Sequence, residues 1–283
     1  MNNIIISADY NCDLPESILK EHSIRIIPFC IMINDARFQE YTEINYSMIR
    51  DYFENDNDKI SSTPASVKEY RNHFLEIKES CEDAEIIHIS VSGKLSDAYK
   101  NAFFAAKDME GVYVVDSSLF SCAVGLLILK AAEMAENGMP AQRICDELLK
   151  IRNNISCSFA LQITEYAAKN NRVGQTASYL LDLFKIKPII KIKNNELKIA
   201  GVCMNNSTVH AKKYIKKVLG NNKKINEEIL FIAISGCSDE FKHFVYNEVS
   251  KYTSWEQVYI QDVSATNFCN VGPESFGLMF YTN

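Results

Sequence analysis

Apolar residues along the chain repeat with two periods. Short β-branched runs, NIIISA (3–8), AEIIHIS (84–90) and GVYVVDS (111–117), read as strands. Between them, apolar positions at helical spacing predict helices over 15–22, 45–55, 64–79, 96–109, 118–137 and from Pro140 to about 152. Gly138 closes one of these and Ser96 is placed to cap another. IRIIPFCIMI (24–33) reads as a buried strand whose Pro28 marks an edge or a bend.

Strands separated by helices imply βαβ units and a mostly parallel sheet. Past residue 155 the pattern changes. SCSFALQIT (156–164) is a strand, followed by helices over 164–170 and 175–184. KPIIKIKNNELKIAGV (187–202) predicts a hairpin turning at Asn194–Asn195. A helix over 208–219, strand EILFIAIS (228–235), a helix over 239–251, strand QVYIQDV (257–263) and a terminal strand FGLMFYT (276–282) complete the chain. The expected architecture is α/β in two domains, 1–155 and 156–283. The first carries a mostly parallel sheet and the second a mixed sheet with helices.

Ligands of open α/β sheets bind outside the carboxyl ends of the strands. IISADYN, HISVSGKLSD and VVDSSLFS are junctions of that kind, each with a hydroxyl or carboxylate. ISSTPASVKEY (60–70) concentrates three more hydroxyls, Ser61, Ser62 and Thr63, before Pro64. Thr63 fits an N-cap with Pro64 at the first helical position. With Ser96, Ser117 and Ser118 before two other helices, these groups could form a donor-rich pocket for a carboxylate or phosphate. Equally, each could merely cap its own helix.

Composition narrows the choice. Of 283 residues, 47% are apolar and 23% charged, enough to build a sizeable core. The net charge of −6, with no basic stripe, argues against nucleic-acid binding. The start, MNNIIISADYN, lacks a basic leader and a long apolar run. The longest apolar stretch, CAVGLLILKAAEMA, is interrupted by Lys130 and is too short to span a bilayer, so no stable membrane insertion is expected. Nine irregularly spaced cysteines without a CxxC pair suit a reduced, cytoplasmic chain.

Common catalytic signatures fail. VSGKLS resembles part of a phosphate loop, but His88 stands where the first glycine belongs and Leu95 follows the lysine. GxGxxG, GxSxG, HExxH and EF-hand patterns are absent, and the five histidines are scattered. No cofactor or metal is expected.

In order along the chain, SADYNCDLP, SSTP, LSDAY, VVDSSLFSCAVG, NNRVGQTASYLLDLFKIKPII and NVGPESFGLMFY resemble six elements of the DegV family. No one of them is specific, but together they run in register from residue 8 to residue 282. The resemblance implies a two-domain α/β fold with a long-chain fatty acid bound between the domains. It implies no chemistry of its own. Some members are the lipid-binding subunit of a bacterial fatty acid kinase and present the carboxyl group to a separate kinase chain, whose product feeds phospholipid synthesis. Carried over, the resemblance makes Ser61, Ser62, Ser92, Ser96, Asn270 and Gly272 ligand-binding residues. Arg172 and Asp97 become candidates for partner docking or for a supporting role.

The chain departs from the family pattern in four places. Asn270 replaces the closing histidine, Glu274 a glycine, and Asp97 the glycine after the serine of LSGTY; the GRIS element keeps only Arg172. With Asn270 neutral, ligand affinity is expected to be nearly flat from about pH 6 to 8, where an imidazole would titrate. Two rivals remain: a carrier of another anionic lipid, and an acyl hydrolase or transferase using a serine nucleophile.

Overall fold

Pro28 divides what the apolar pattern joins. In the computed structural model, which describes residues 3–53, 60–81, 83–162, 187–203, 207–220 and 224–283, the run 24–33 is two strands in different sheets. β2 (Arg25–Ile27) pairs in parallel with β1 (Ile4–Asp9). β3 (Cys30–Ile33) leaves that sheet and pairs antiparallel with β4 (Ala36–Gln39) and β5 (Ile60–Thr63). Proline has no N–H to give a ladder, so the switch falls beside it. β6 (Glu85–Ser90) and β7 (Val112–Asp116) complete the parallel sheet in the order β2-β1-β6-β7.

Six helices accompany this half: α1 (Glu16–Glu21), α2 (Tyr46–Phe53), α3 (Val67–Ser80), α4 (Ala98–Ala106), α5 (Cys122–Glu136) and α6 (Ala141–Ile151). Three of them begin later than the apolar pattern predicts. α3 starts at Val67 because Ser66 and Glu69 form a reciprocal capping box, so Ser61–Thr63 are strand and Thr63 is not a cap. α4 starts at Ala98, whose N–H is accepted by Ser96 Oγ at 3.2 Å. α5 starts at Cys122, after Ser118 and Ser121 at positive φ.

The second sheet is mixed, ordered β10-β9-β8-β13-β11-β12. Its strands are β8 (Ile155–Ala160), β9 (Lys187–Lys193), β10 (Glu196–Cys203), β11 (Ile225–Ser235), β12 (Gln257–Asp262) and β13 (Ser275–Thr282). Only β11 and β12 pair in parallel. The β9–β10 hairpin turns at Asn194 and Asn195 with φ of 54° and 59°, the left-handed pair a tight two-residue turn requires. α7 (Ser207–Leu219) and α8 (Asp239–Val249) pack on this sheet around Tyr214, Phe276 and Phe280. The helices expected over 164–170 and 175–184 lie outside the described residues. The strands β4 and β5 and a short helix, α9 (Ala265–Val271), were not foreseen.

α5 joins the two sheets. Its residues from Cys122 to Ile128 are all buried, and it contacts β1 and β6 of the parallel sheet and β8, β11 and β13 of the mixed one. A helix apolar on every side belongs between layers. Gly125 permits the closest approach: a Cβ there would lie 2.8 Å from Leu14 Cδ2 and 3.1 Å from the Cys12 carbonyl oxygen. The turn after β1 is thereby pressed against α5, and the carboxyl ends of β1 and β6 open toward β5 and α9. No described helix is long and apolar enough to cross a membrane.

Candidate functional site

A cavity of about 330 Å³ opens where these elements meet. Its polar side is built from four places, the turn after β1 giving Asn11. β5 contributes Ser62 and Thr63, the loop between β6 and α4 contributes Ser96 and Asp97, and α9 contributes Thr266, Asn267 and Asn270. The apolar lining includes Phe29, Phe120, Leu161, Ile190 and Leu197, with Val91, Leu95 and Val271 beside the polar groups. Phe120, Leu161, Ile190 and Leu197 belong to or adjoin α5 and the mixed sheet, so the cavity lies between the two layers.

α9 is held by buried carboxylates. Asp13, in the turn after β1, accepts from Ser264 N at 2.8 Å and from Asn267 Nδ2 at 2.7 Å. Glu40 accepts from Thr266 N at 2.8 Å and Thr266 Oγ1 at 2.6 Å. Asn267 also donates to the Asn11 carbonyl at 2.8 Å. Asn270 Nδ2 donates to Thr266 O at 2.7 Å and reaches Ser62 Oγ at 3.4 Å, tying α9 to β5. Burial pushes Asp13 up to about 6 and Glu40 up to about 7.

A second buried network fixes the loop that carries Ser96. Asp9, at the end of β1, accepts from Tyr70 Oη, from Ser90 Oγ at 2.8 Å and from Val91 N at 3.0 Å. Burial opposes its charge, yet the His88 ring and the Tyr70 hydroxyl outweigh burial and hold Asp9 below the usual carboxylate range. His88 Nε2 lies 3.6 Å from Asp9 Oδ1, and His88 Nδ1 lies 3.0 Å from Ser7 Oγ, which also meets His73 Nε2 at 2.8 Å. The order Ser7–His88–Asp9 has the residue types of a hydrolytic triad. All three are fully buried and none lines the cavity, so the network is placed to position the loop and not to meet a substrate.

Of the residues singled out in the sequence, Ser62, Ser96, Asp97 and Asn270 line one cavity. Three others do not. Ser61, on β5, is exposed. Ser92 is buried and works inside its loop: its Oγ accepts from Lys94 N, and its carbonyl accepts from Leu95 N and Ser96 N. Gly272 ends α9 at φ 72°, and its carbonyl accepts from Ser235 Oγ at 2.7 Å. Arg172 lies outside the described residues. Asn11, Thr266, Asn267 and the carboxylates behind them were missed. The only trace in the sequence is the SATN run (264–267), where Ser264 precedes Asn267 at capping distance.

Two layers joined by a buried helix around an amphiphilic cavity define a two-domain α/β protein with a candidate ligand site. The chain belongs to the DegV family: the model of that family of uncharacterised proteins matches residues 3–283. A DegV domain-containing protein of Clostridium acetobutylicum is 26% identical over 245 residues, 85% of each chain. One from Clostridium perfringens is 24% identical over 283 residues, 98% of each. The fold resembles that of a fatty-acid-binding DegV family protein from Thermus thermophilus, with TM-score 0.86, 22% identity and coverage of 99% and 100%. It also resembles a stearic-acid-binding protein from Eubacterium ventriosum, with TM-score 0.84, 18% identity and coverage of 100% and 98%. A third neighbour, a DegV family protein from Eubacterium eligens loaded with heptadecanoic acid, has TM-score 0.85, 15% identity and coverage of 99% and 100%.

Proposed function

We propose that this chain binds one long-chain fatty acid between a domain of residues 1–155 and a domain of residues 156–283. The carboxyl group meets the hydroxyls of Ser62, Thr63 and Ser96 and the amide of Asn270, and the acyl chain runs toward Phe29, Phe120 and Ile190. The observation that carries this reading is the amphiphilic lining of one cavity, which brings hydroxyl and amide groups together with aromatic and aliphatic ones. A fatty acid has the same division. Each CH₂ moved from water into the apolar part contributes roughly 0.8 kcal/mol. Neighbours of the same fold bind stearic or heptadecanoic acid, which supports the choice of ligand.

In this reading the protein is a carrier that performs no reaction, works in the cytoplasm and presents the carboxyl group to a separate fatty acid kinase chain. Asp97, exposed at the rim beside Ser96, and Arg172 are the residues proposed to meet that partner or support the head group. Ser62 and Ser96 line the cavity, but among the described residues no histidine lines it to act as their base, and the Ser7–His88–Asp9 set is sealed away from it.

The test is solvent extraction and mass spectrometry of protein purified from bacteria without detergent. Close to one fatty acid per chain is expected. Lipid-free protein that also takes up neither palmitate nor oleate would refute the reading.

A further inference from the structure

Glu40 follows β4 and is 1% exposed. Its carboxylate accepts from Thr266 N and from the hydroxyl of Thr266, which lines the cavity, with the Ala265 N–H a further donor. Among the described residues, no lysine or arginine lines that cavity. The groups facing Glu40 come from three elements: Asp13 and Tyr10 in the turn after β1, Cys30 on β3, and Cys269 on α9. Glu43, in the same turn as Glu40, is exposed and accepts from Gln39 N. Burial raises Tyr10, Cys30 and Cys269, so all three stay neutral through pH 8. Near neutral pH the titrating groups of this cluster are Asp13 and Glu40.

A threonine hydroxyl has one proton. While Glu40 is ionised, Thr266 gives that proton to Glu40 and can offer a ligand only a lone pair. A protonated Glu40 reverses the line: its O–H donates to Thr266 Oγ1, and the Thr266 hydroxyl is free to donate to the ligand. A carboxylic head group therefore meets Thr266 in one of two balanced states. Either the ligand is RCOOH against ionised Glu40, or it is RCOO⁻ against protonated Glu40. Both contain one proton more than the free carboxylate and ionised Glu40 together. Ser62, Thr63, Ser96 and Asn270 can donate to the ligand in either state, but at Thr266, without that proton, two carboxylates would share one hydroxyl hydrogen.

We propose that Glu40, acting through Thr266, makes binding of a carboxylic acid take up one proton, so that the site selects the ligand together with a proton. This rests on the fatty-acid reading of the cavity. Glu40 is a positioning residue in this scheme, since it acts on the ligand through Thr266. The nearly flat pH response expected from Asn270 alone is replaced by a slope. Affinity is constant where Glu40 is already protonated and falls about tenfold per pH unit above about 7.

The test is calorimetric titration of the full chain with dodecanoate at pH 8, in two buffers of different ionisation enthalpy, with 1-dodecanol as a neutral probe. One proton taken up per dodecanoate, and none per dodecanol, is expected. Glu40→Gln should bind dodecanoate with no uptake, whereas Asp13→Asn should keep it. Dodecanoate bound by the unmodified protein at pH 8 with no uptake overturns the proposal, and this measurement decides even if Glu40→Gln does not fold. Uptake that survives Glu40→Gln and disappears in Asp13→Asn overturns the assignment to Glu40. Failure of both probes to bind removes the fatty-acid reading itself, and this proposal with it.

Discussion

Asn267 Nδ2 donates to Asp13 Oδ2 at 2.7 Å across 254 positions of sequence, fastening the last helix to the turn after the first strand. The polar wall of the cavity therefore exists only when both ends of the chain are in place. Asp13 holds α9 through Ser264 and Asn267, and Glu40 holds the same helix through Thr266. Both carboxylates are buried among neutral hydrogen-bond donors, and this makes their ionisation costly.

The cost appears as a pH dependence of folding. A carboxyl whose folded pKa lies above its unfolded value binds a proton more tightly when folded, so it favours the folded state at low pH and loses that contribution as pH rises. Asp13 rises from 3.8 to about 6 and Glu40 from 4.5 to about 7, which places the loss between about pH 4 and pH 7. Asp9 has the opposite sign, its folded value lying below 3.8, so its contribution is lost only in stronger acid. Ligand-free protein should lose a few kcal/mol between about pH 4 and pH 7, at about 1.4 kcal/mol for each tenfold difference in proton affinity between the folded and unfolded chains. The check is the urea midpoint across that range. The double variant Asp13→Asn, Glu40→Gln should flatten the curve, and an unchanged slope would show that neither carboxyl titrates as placed.

The hydroxyls of SSTP and LSDAY should separate by position. Ser96→Ala removes the acceptor of Ala98 N, which should lower stability by about 1 kcal/mol. If Ser96 also meets the carboxyl group, affinity should fall by the about 1.5–3 kcal/mol of a hydrogen bond to a charged group. Ser62→Ala should weaken binding with little effect on the melt, whereas Ser61→Ala, on the exposed face of β5, should change neither. Thermal melts and dodecanoate titrations on all three variants decide this. Equal affinity in all three would leave these serines with structural roles only.

Much of this was legible in the chain for a physical reason. Strands such as Ile4–Asp9 and helices such as α5 bury regular faces, so their periodicity is written in adjacent residues. The β9–β10 hairpin was marked by two asparagines tolerant of positive φ. The strand β5 was not legible, because Ser61–Thr63 have no apolar alternation and become strand only by pairing with β3. α9 was hidden for a similar reason: at seven residues it is too short to be stable alone and is held by Asp13 and Glu40, both remote in sequence. Of the residues missed at the site, Thr266 and Asn267 lie on that helix, and Asn11 meets it through its carbonyl.

Gly125→Ala tests the junction of the two layers. The added methyl would lie 2.8 Å from Leu14 Cδ2, inside normal contact distance, and the Cys12 carbonyl limits escape on the other side. Overpacking of a close-packed core costs about 1–3 kcal/mol, although the better helix propensity of alanine offsets about 1 kcal/mol. A lower melting temperature with a weakened ligand site is expected, since the turn carrying Asn11 and Asp13 must move. A melt equal to or above that of the unmodified protein would mean that Leu14 repacks freely and that the contact does not position the site.

Asn270 offers a place to put a positive charge where the described lining has no lysine or arginine. Its amide donates to Thr266 O and reaches Ser62 Oγ, so it stands beside the proposed head group and the Glu40–Thr266 pair. A histidine here would titrate near pH 6.5 and, once protonated, would attract a carboxylate. In the unmodified protein that effect would overlap with proton uptake at Glu40, so the informative background is Glu40→Gln, where affinity for dodecanoate should be flat from about pH 6 to 8. Adding Asn270→His to it should restore a dependence of the other origin, with affinity rising as pH falls through about 6.5 and levelling below. The comparison is a dodecanoate titration series across that range on Glu40→Gln and on the double variant. If both stay flat, the side chain at position 270 does not reach the carboxyl group, and the head group must lie elsewhere along the polar wall.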